Sequence, residues 1–365
     1  MSVSPYADLP PERFWRTGVS EQSPLSVKHL YRKRFEIQAD DRIAAAGSCF
    51  AQHISRNLNA HGCNVLDVEP APPGLTAHEA AERGFGLYSG RYGNIYTARQ
   101  LHQLLMESEG KFEPANIVWE GRGRFYDSQR PNIEPNGFES AAAVLACRAD
   151  HLRRVRQLIS NVDLFIFTFG LTEAWVHRST GTVYPTAPGT IAGEHDPSVY
   201  EFKNYTVSEV LADFIAVRRI IRSYNRKCKF LVTVSPVPLT ATAADTHVLQ
   251  ATIYSKSVLR AACGELYQRF SDIDYFPSYE LIASHFSRGF FYEANLRAVS
   301  PAGVNVAMQL FFEEHNKLTS GKPSPASDGA ESDDVGHGPK AGRRAEVAND
   351  EDVVCEEAML EAFAK

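Results

Sequence analysis

The chain has 365 residues, 44% hydrophobic and 22% charged, enough apolar side chains for a sizeable core in one large domain or two modest ones. A net charge of −6 gives no electrostatic reason to expect nucleic acid or an anionic membrane as a partner. Six cysteines without a CxxC pair or zinc spacing, no apolar run of membrane-spanning length, and an N-terminus without signal-peptide character point to free thiols and a cytoplasmic location.

Residues 1–24 read as an N-terminal extension to an α/β domain over 25–318. The first strong signal is Arg42-Ile43-Ala44-Ala45-Ala46-Gly47-Ser48-Cys49-Phe50-Ala51. It predicts a buried strand over 42–46, a Gly-Ser turn, and a helix over 49–61 in which Ile54 and Leu58 recur four residues apart. Further strands are expected at 63–68, 163–169, 229–235 and 272–276. Helices are expected at 97–108, 140–160, 206–225, 247–270 and 301–316. Strands that are apolar throughout and alternate with helices predict a doubly wound, mostly parallel five-stranded sheet covered on both faces, in flavodoxin-like order.

Three stretches break the alternation. Residues 69–91, 119–137 and 175–204 are rich in Gly and Pro and read as long loops over the carboxyl edge of the sheet. From 319 onward the chain is a tail. Its segment 319–349 has the composition of a disordered region, and 351–363 can form a short amphipathic helix, either a frayed end or a docking segment for a protein partner.

The strand–turn–helix edge leaves the Ser48 hydroxyl at the carboxyl end of a strand. Two readings follow from that position. Serine is a favoured helix N-cap, and an exposed serine at such an edge is also a nucleophile if a base takes its proton. The neighbouring thiol of Cys49 is expected to point into the sheet–helix core. No His, Asp or Glu set has metal spacing, and Gly84-Phe85-Gly86 lacks the third glycine of a dinucleotide fingerprint, so neither a metal nor a nucleotide cofactor is implied.

Gly47-Ser48-Cys49-Phe50-Ala51 spells the signature of the GSCFA family, which resembles a divergent branch of the SGNH/GDSL hydrolases. The likeness continues through residues 91–100, 167–175 and 233–239, then His247 with Ser255-Lys256-Ser257-Val258-Leu259, then 274–280 and 295–300. Placed on the predicted strands, these segments all fall on one edge of the sheet.

The resemblance implies an O-acyl ester hydrolase or acyltransferase with Ser48 as nucleophile, acting on a carbohydrate-like or small hydroxylated substrate. It also implies oxyanion donors at Gly93 and Asn94, residues that equally make a plain turn. Two departures stand out. The SGNH Gly-x-Asn block reads Gly170-Leu171-Thr172, followed by Glu173. The Asp-x-x-His block reads Asn295-Leu296-Arg297-Ala298, without acid or base.

His247, at the start of a helix, is the replacement base, with Asp245 or Glu173 to orient it. The alternative is an exposed or packed histidine in a first helical turn. His285 is the second candidate. Arg91, Trp175, Asn295 and Arg297 are candidates for substrate orientation. The competing function is a non-catalytic ligand-binding protein that kept the pocket and lost the base.

Overall fold

The computed structural model describes residues 4–318 and 356–364. At its centre is a parallel four-stranded sheet in the order β1 (Ile43–Gly47), β4 (Leu164–Phe169), β8 (Lys229–Val234), β9 (Ile273–Tyr275). Side chains alternate across it as the strand pleat requires. Phe165, Phe167 and Phe169 of β4 face a cluster shared with α3 (Ala98–Ser108), α4 (Ala141–Asn161), α5 (Val207–Tyr224) and α6 (Val248–Arg269). Leu164 and Ile166 face the opposite cluster, with α1 (Phe50–Ala60), α7 (Ser278–Ala283) and α8 (Pro301–Glu314). The result is a sheet between two helical layers. The segment before the sheet joins this second core through Val27, Tyr31 and Ile37, whereas Pro11–Arg13, Arg16–Ser20 and Pro24–Ser26 form short 3-10 and π turns without a buried residue.

The expected fifth strand is the first correction. Residues 63–68 meet β1 at a single parallel bridge, Ile43 with Val65, held by two backbone bonds. Beyond it Pro70, Pro72 and Pro73 supply no N–H groups for a ladder, and Ser89 takes over the edge by accepting from the Ala45 N–H at 2.9 Å. The three expected loops carry structure as well. Residues 69–91 contain α2 (Ala77–Glu82), opened by a Thr76–Glu79 capping box. The second contains the hairpin β2 (Val118–Gly121) and β3 (Arg124–Asp127), and the third a three-stranded antiparallel sheet of β5 (Glu173–His177), β6 (Val183–Tyr184) and β7 (Tyr200–Asn204). Of the tail, 319–355 lies outside the described residues, and Glu356–Phe363 forms a 3-10 segment.

Under the first helical layer lies a buried ionic cluster. Arg148 of α4 donates to Asp127 at 3.0 and 3.2 Å and to Glu107 at 2.6 Å. Arg130 donates to Asp127 at 2.8 Å and to the Arg91 carbonyl at 3.0 Å. Burial alone would raise the Asp127 carboxyl, but the guanidiniums of Arg148 and Arg130 outweigh it and hold it at about 2. His151 Nδ1 lies 2.7 Å from Glu69, and its Nε2 has no hydrogen-bond partner among the described residues, as suits a neutral ring that donates from Nδ1 to the carboxylate. Burial, helped by Arg130, depresses His151 to about 4. His315 is likewise brought to about 4, chiefly by burial.

For both rings the folded value lies below the ordinary histidine value of 6.5, so the unfolded chain binds protons that the folded one refuses. Stability is then fully present above about pH 6.5 and is lost as the pH falls toward 4. Urea midpoints measured between pH 7.5 and 4 should fall through this window, and the slope should flatten in His151→Gln/His315→Gln. An unchanged slope in the double variant would assign the loss to other groups.

The body of the sheet serves this packing, and the carboxyl ends of β1, β4 and β8 lie at its edge.

Candidate functional site

β1 ends at Gly47, whose φ of +141° and tight approach to β4 leave no room for a side chain. The turn brings the Ser48 N–H within 3.2 Å of the Thr168 carbonyl and starts α1 with Cys49 in the capping position. The Ser48 hydroxyl makes no hydrogen bond with the first N–H groups of the helix. It is buried and has no partner among the described residues. The capping role open in the sequence is therefore not realised. Buried hydroxyls are ordinarily satisfied, so this one calls for another explanation.

The residues from 88 to 96 fold onto this turn. The Ile95 N–H donates to the Gly47 carbonyl at 2.8 Å, and the Tyr96 carbonyl receives the N–H groups of Gly170 and Leu171 at 3.1 and 3.0 Å. The Tyr88 hydroxyl donates to Asn94 Oδ1 and stands 3.2 Å from the Ser48 carbonyl oxygen; Gln52 Nε2 donates to the same Oδ1 at 3.2 Å. These two donors fix which end of the Asn94 amide is oxygen. Gly93, half-buried at φ +67°, makes the turn just before it. Gly170 closes the other side, because a Cβ added there would stand 2.8 Å from Ser48 Cβ. Ser48, Gly93, Asn94 and Gly170 thus form one constellation.

The remaining candidates lie in other settings. His247 is exposed and caps α6 by accepting the Leu249 N–H at 3.1 Å; no hydrogen bond joins it to Ser48, Glu173 or Asp245. His285 is exposed and stacks on Trp15 with ring centroids 5.4 Å apart, lining a groove of about 760 Å³ that shares no residue with the Ser48 turn. Arg91 is buried, bonded to the Arg83 carbonyl and Glu134 at 2.6 Å each, so its head group braces loops. Asn295 is exposed and closes a local turn by accepting the N–H groups of Arg297 and Ala298 at 2.9 Å each. Arg297 is half-buried beside it.

Glu173 and Trp175 line a cavity of about 210 Å³ that begins at Leu171, one residue from Gly170. Tyr184, Phe202 and Leu239 supply further apolar wall. Burial raises the Glu173 carboxyl above its ordinary value against the hydrogen bond from Thr242, whose Oγ1 lies 2.8 and 3.0 Å from the two oxygens. The Thr186 hydroxyl, also on the wall, is buried without a partner among the described residues. Leu360 of the segment Glu356–Phe363 reaches the same cavity.

Sequence reasoning passed over Tyr88, Gln52 and the role of Lys256. Gln52 was findable, being four residues beyond Ser48 in the first turn of the helix that follows it. Lys256 was findable as a cation in the apolar stripe Ala251, Ser255, Leu259, Ala262. Tyr88 left no local signal. Among the described residues no cluster of three or more His, Cys, Asp or Glu could hold a metal ion, and no helix is long and apolar enough to cross a membrane.

A parallel four-stranded sheet flanked by helices, with a serine turn, a glycine and an amide gathered at its carboxyl edge, makes this an α/β protein. The chain belongs to the GSCFA family, whose model matches residues 42–311. No curated protein matches it.

Proposed function

We propose that the protein is a serine-dependent ester hydrolase or O-acyltransferase of SGNH-like architecture, acting on an O-acylated, carbohydrate-like or small hydroxylated substrate through an acyl-Ser48 intermediate. The observation that carries this reading is the Ser48 hydroxyl, held at a strand–turn–helix edge and left without a hydrogen bond. A side chain that neither caps the helix nor satisfies itself in the core is poised for a reacting partner. The bridge of Val65 to β1 also supports an SGNH-like order, with 63–68 as a vestigial strand outside β1.

The Ser48 N–H is spent on Thr168, so oxyanion stabilisation falls to the Gly93–Asn94 turn. The cavity beside Leu171 is where the rest of the substrate sits. Trp175 and Phe202 offer ring faces, and Glu173 and Thr186 offer polar groups for hydroxyls. Because Ser48 is closed to solvent, a substrate reaches it only when the covering residues move.

An organophosphonate serine probe, with mass spectrometry to locate the adduct, tests the reading. Wild type should carry the adduct on Ser48, and Ser48→Ala should carry none. Folded wild-type protein that stays unlabelled from pH 6 to 9 would overturn the esterase reading and leave the cavity as a ligand-binding site.

A further inference from the structure

The proposed chemistry lacks a base, and the two histidines considered for it stand elsewhere. We propose that Lys256 takes the proton of Ser48, making the site a serine–lysine pair; this rests on Ser48 being the nucleophile.

The placement of Lys256 is the starting point. It is 1% exposed, on the inner face of α6, a costly position for a cation. Its Nζ donates to the Gly170 carbonyl at 2.7 Å. Gly170 is also the residue against which the Ser48 side chain packs, the added-Cβ distance to Ser48 Cβ being 2.8 Å. The amine and the hydroxyl therefore flank one residue. The neighbouring Ser255 hydroxyl accepts the Thr172 N–H at 3.0 Å, so one turn of α6 holds both ends of the Gly170–Thr172 segment and fixes where the amine stands. His247 lies nine residues earlier on the same helix, about 13 Å away along its axis at 1.5 Å per residue.

Chemistry agrees with the geometry. Lysine replaces histidine as the partner of serine in known variants of the triad, its amine acting in the neutral form.

In the first step neutral Lys256 accepts the Ser48 proton as the bond from Oγ to the ester carbon forms. The ammonium returns that proton to the leaving alkoxide as the ester C–O bond breaks. In the second step Lys256 takes a proton from water as its oxygen attacks the acyl carbon, and gives it to Ser48 Oγ as the acyl–serine bond breaks.

The rate of phosphonate labelling at Ser48, followed by intact mass on the full chain, decides the matter. Lys256→Arg keeps a charged donor but not a base, so it should label about a hundredfold or more slowly at pH 8, while His247→Ala labels as wild type does. Wild-type rates in Lys256→Arg and Lys256→Met, or a loss confined to His247→Ala, would overturn the proposal. Should both lysine variants fail to fold, the histidine variants decide: wild-type labelling rates in both His247→Ala and His285→Ala fit a lysine base, and a loss of labelling in either overturns it. An unlabelled wild type defeats the esterase reading itself, whereas a labelled one with indifferent lysine variants defeats only the assignment of the base.

Discussion

Replacing Arg148 by methionine is expected to cost the fold about 3–5 kcal/mol, the range for removing one partner of a buried ion pair. Methionine preserves much of the volume, so the loss comes from charge and not from a cavity. Arg148 has both carboxylate oxygens of Asp127 and those of Glu107 as partners, and all three side chains are at most 7% exposed. Without the guanidinium, Asp127 keeps Arg130 and the Gln129 N–H, and Glu107 loses the attraction that now partly opposes its burial. Urea unfolding should show a lower midpoint with an unchanged slope.

The pH dependence gives the mechanism away. In wild type the folded Asp127 titrates at about 2, below its ordinary 3.8, so its stabilisation is present above 3.8 and is lost as the pH falls through 2. In Arg148→Met burial gains the upper hand and the folded value rises. The gap between variant and wild type should therefore narrow as the pH is taken from 7 to 4, because a neutral Asp127 tolerates burial. A gap that stays constant would mean that Arg148 acts by packing. The cluster also bears on the site, since Arg130 holds the Arg91 carbonyl two residues before Gly93. Phosphonate labelling should weaken together with stability.

The elements that were legible in the sequence are those whose pattern is local. β4 and β8 are mostly apolar, and four helices start after Thr97, Ser140, Thr206 and Ser300, residues whose hydroxyls do accept the first helical N–H groups. The antiparallel sheet was hidden because β5 pairs with β7 across more than twenty intervening residues, and its glycines and prolines read as loop. No local period encodes such a pairing.

The site divides in the same way. The serine turn was legible, but the choice between cap and nucleophile was not, because that depends on where one hydroxyl's hydrogen bond goes. His247 was correctly placed at a helix start; its capping role needed coordinates. The Tyr88–Asn94–Gln52 contacts join residues from α1 and a loop, and only the packed chain brings them together.

Gly47→Ala should be severely damaging, costing about 3 kcal/mol or more from backbone strain and overpacking combined. The added Cβ would stand 2.4 Å from the Thr168 carbonyl oxygen and 2.7 Å from its nitrogen, backbone atoms of the central strand that cannot swing aside. At φ +141° any side chain is strained even without the clash. Gly86→Ala is the control. Its φ of +67° carries similar strain, but nothing lies within 4 Å, so it should lose about 1 kcal/mol.

Gly170→Ala separates stability from chemistry. Its Cβ would meet Ser48 Cβ at 2.8 Å and the Tyr96 carbonyl oxygen at 3.1 Å, so relief comes by pushing the serine out of place. Thermal unfolding should show Gly47→Ala far less stable than Gly170→Ala, whereas both should lose phosphonate labelling. Should Gly170→Ala label at the wild-type rate with its stability intact, the serine would not need the position in which this constellation holds it, and the site would have to be sought in a rearranged turn.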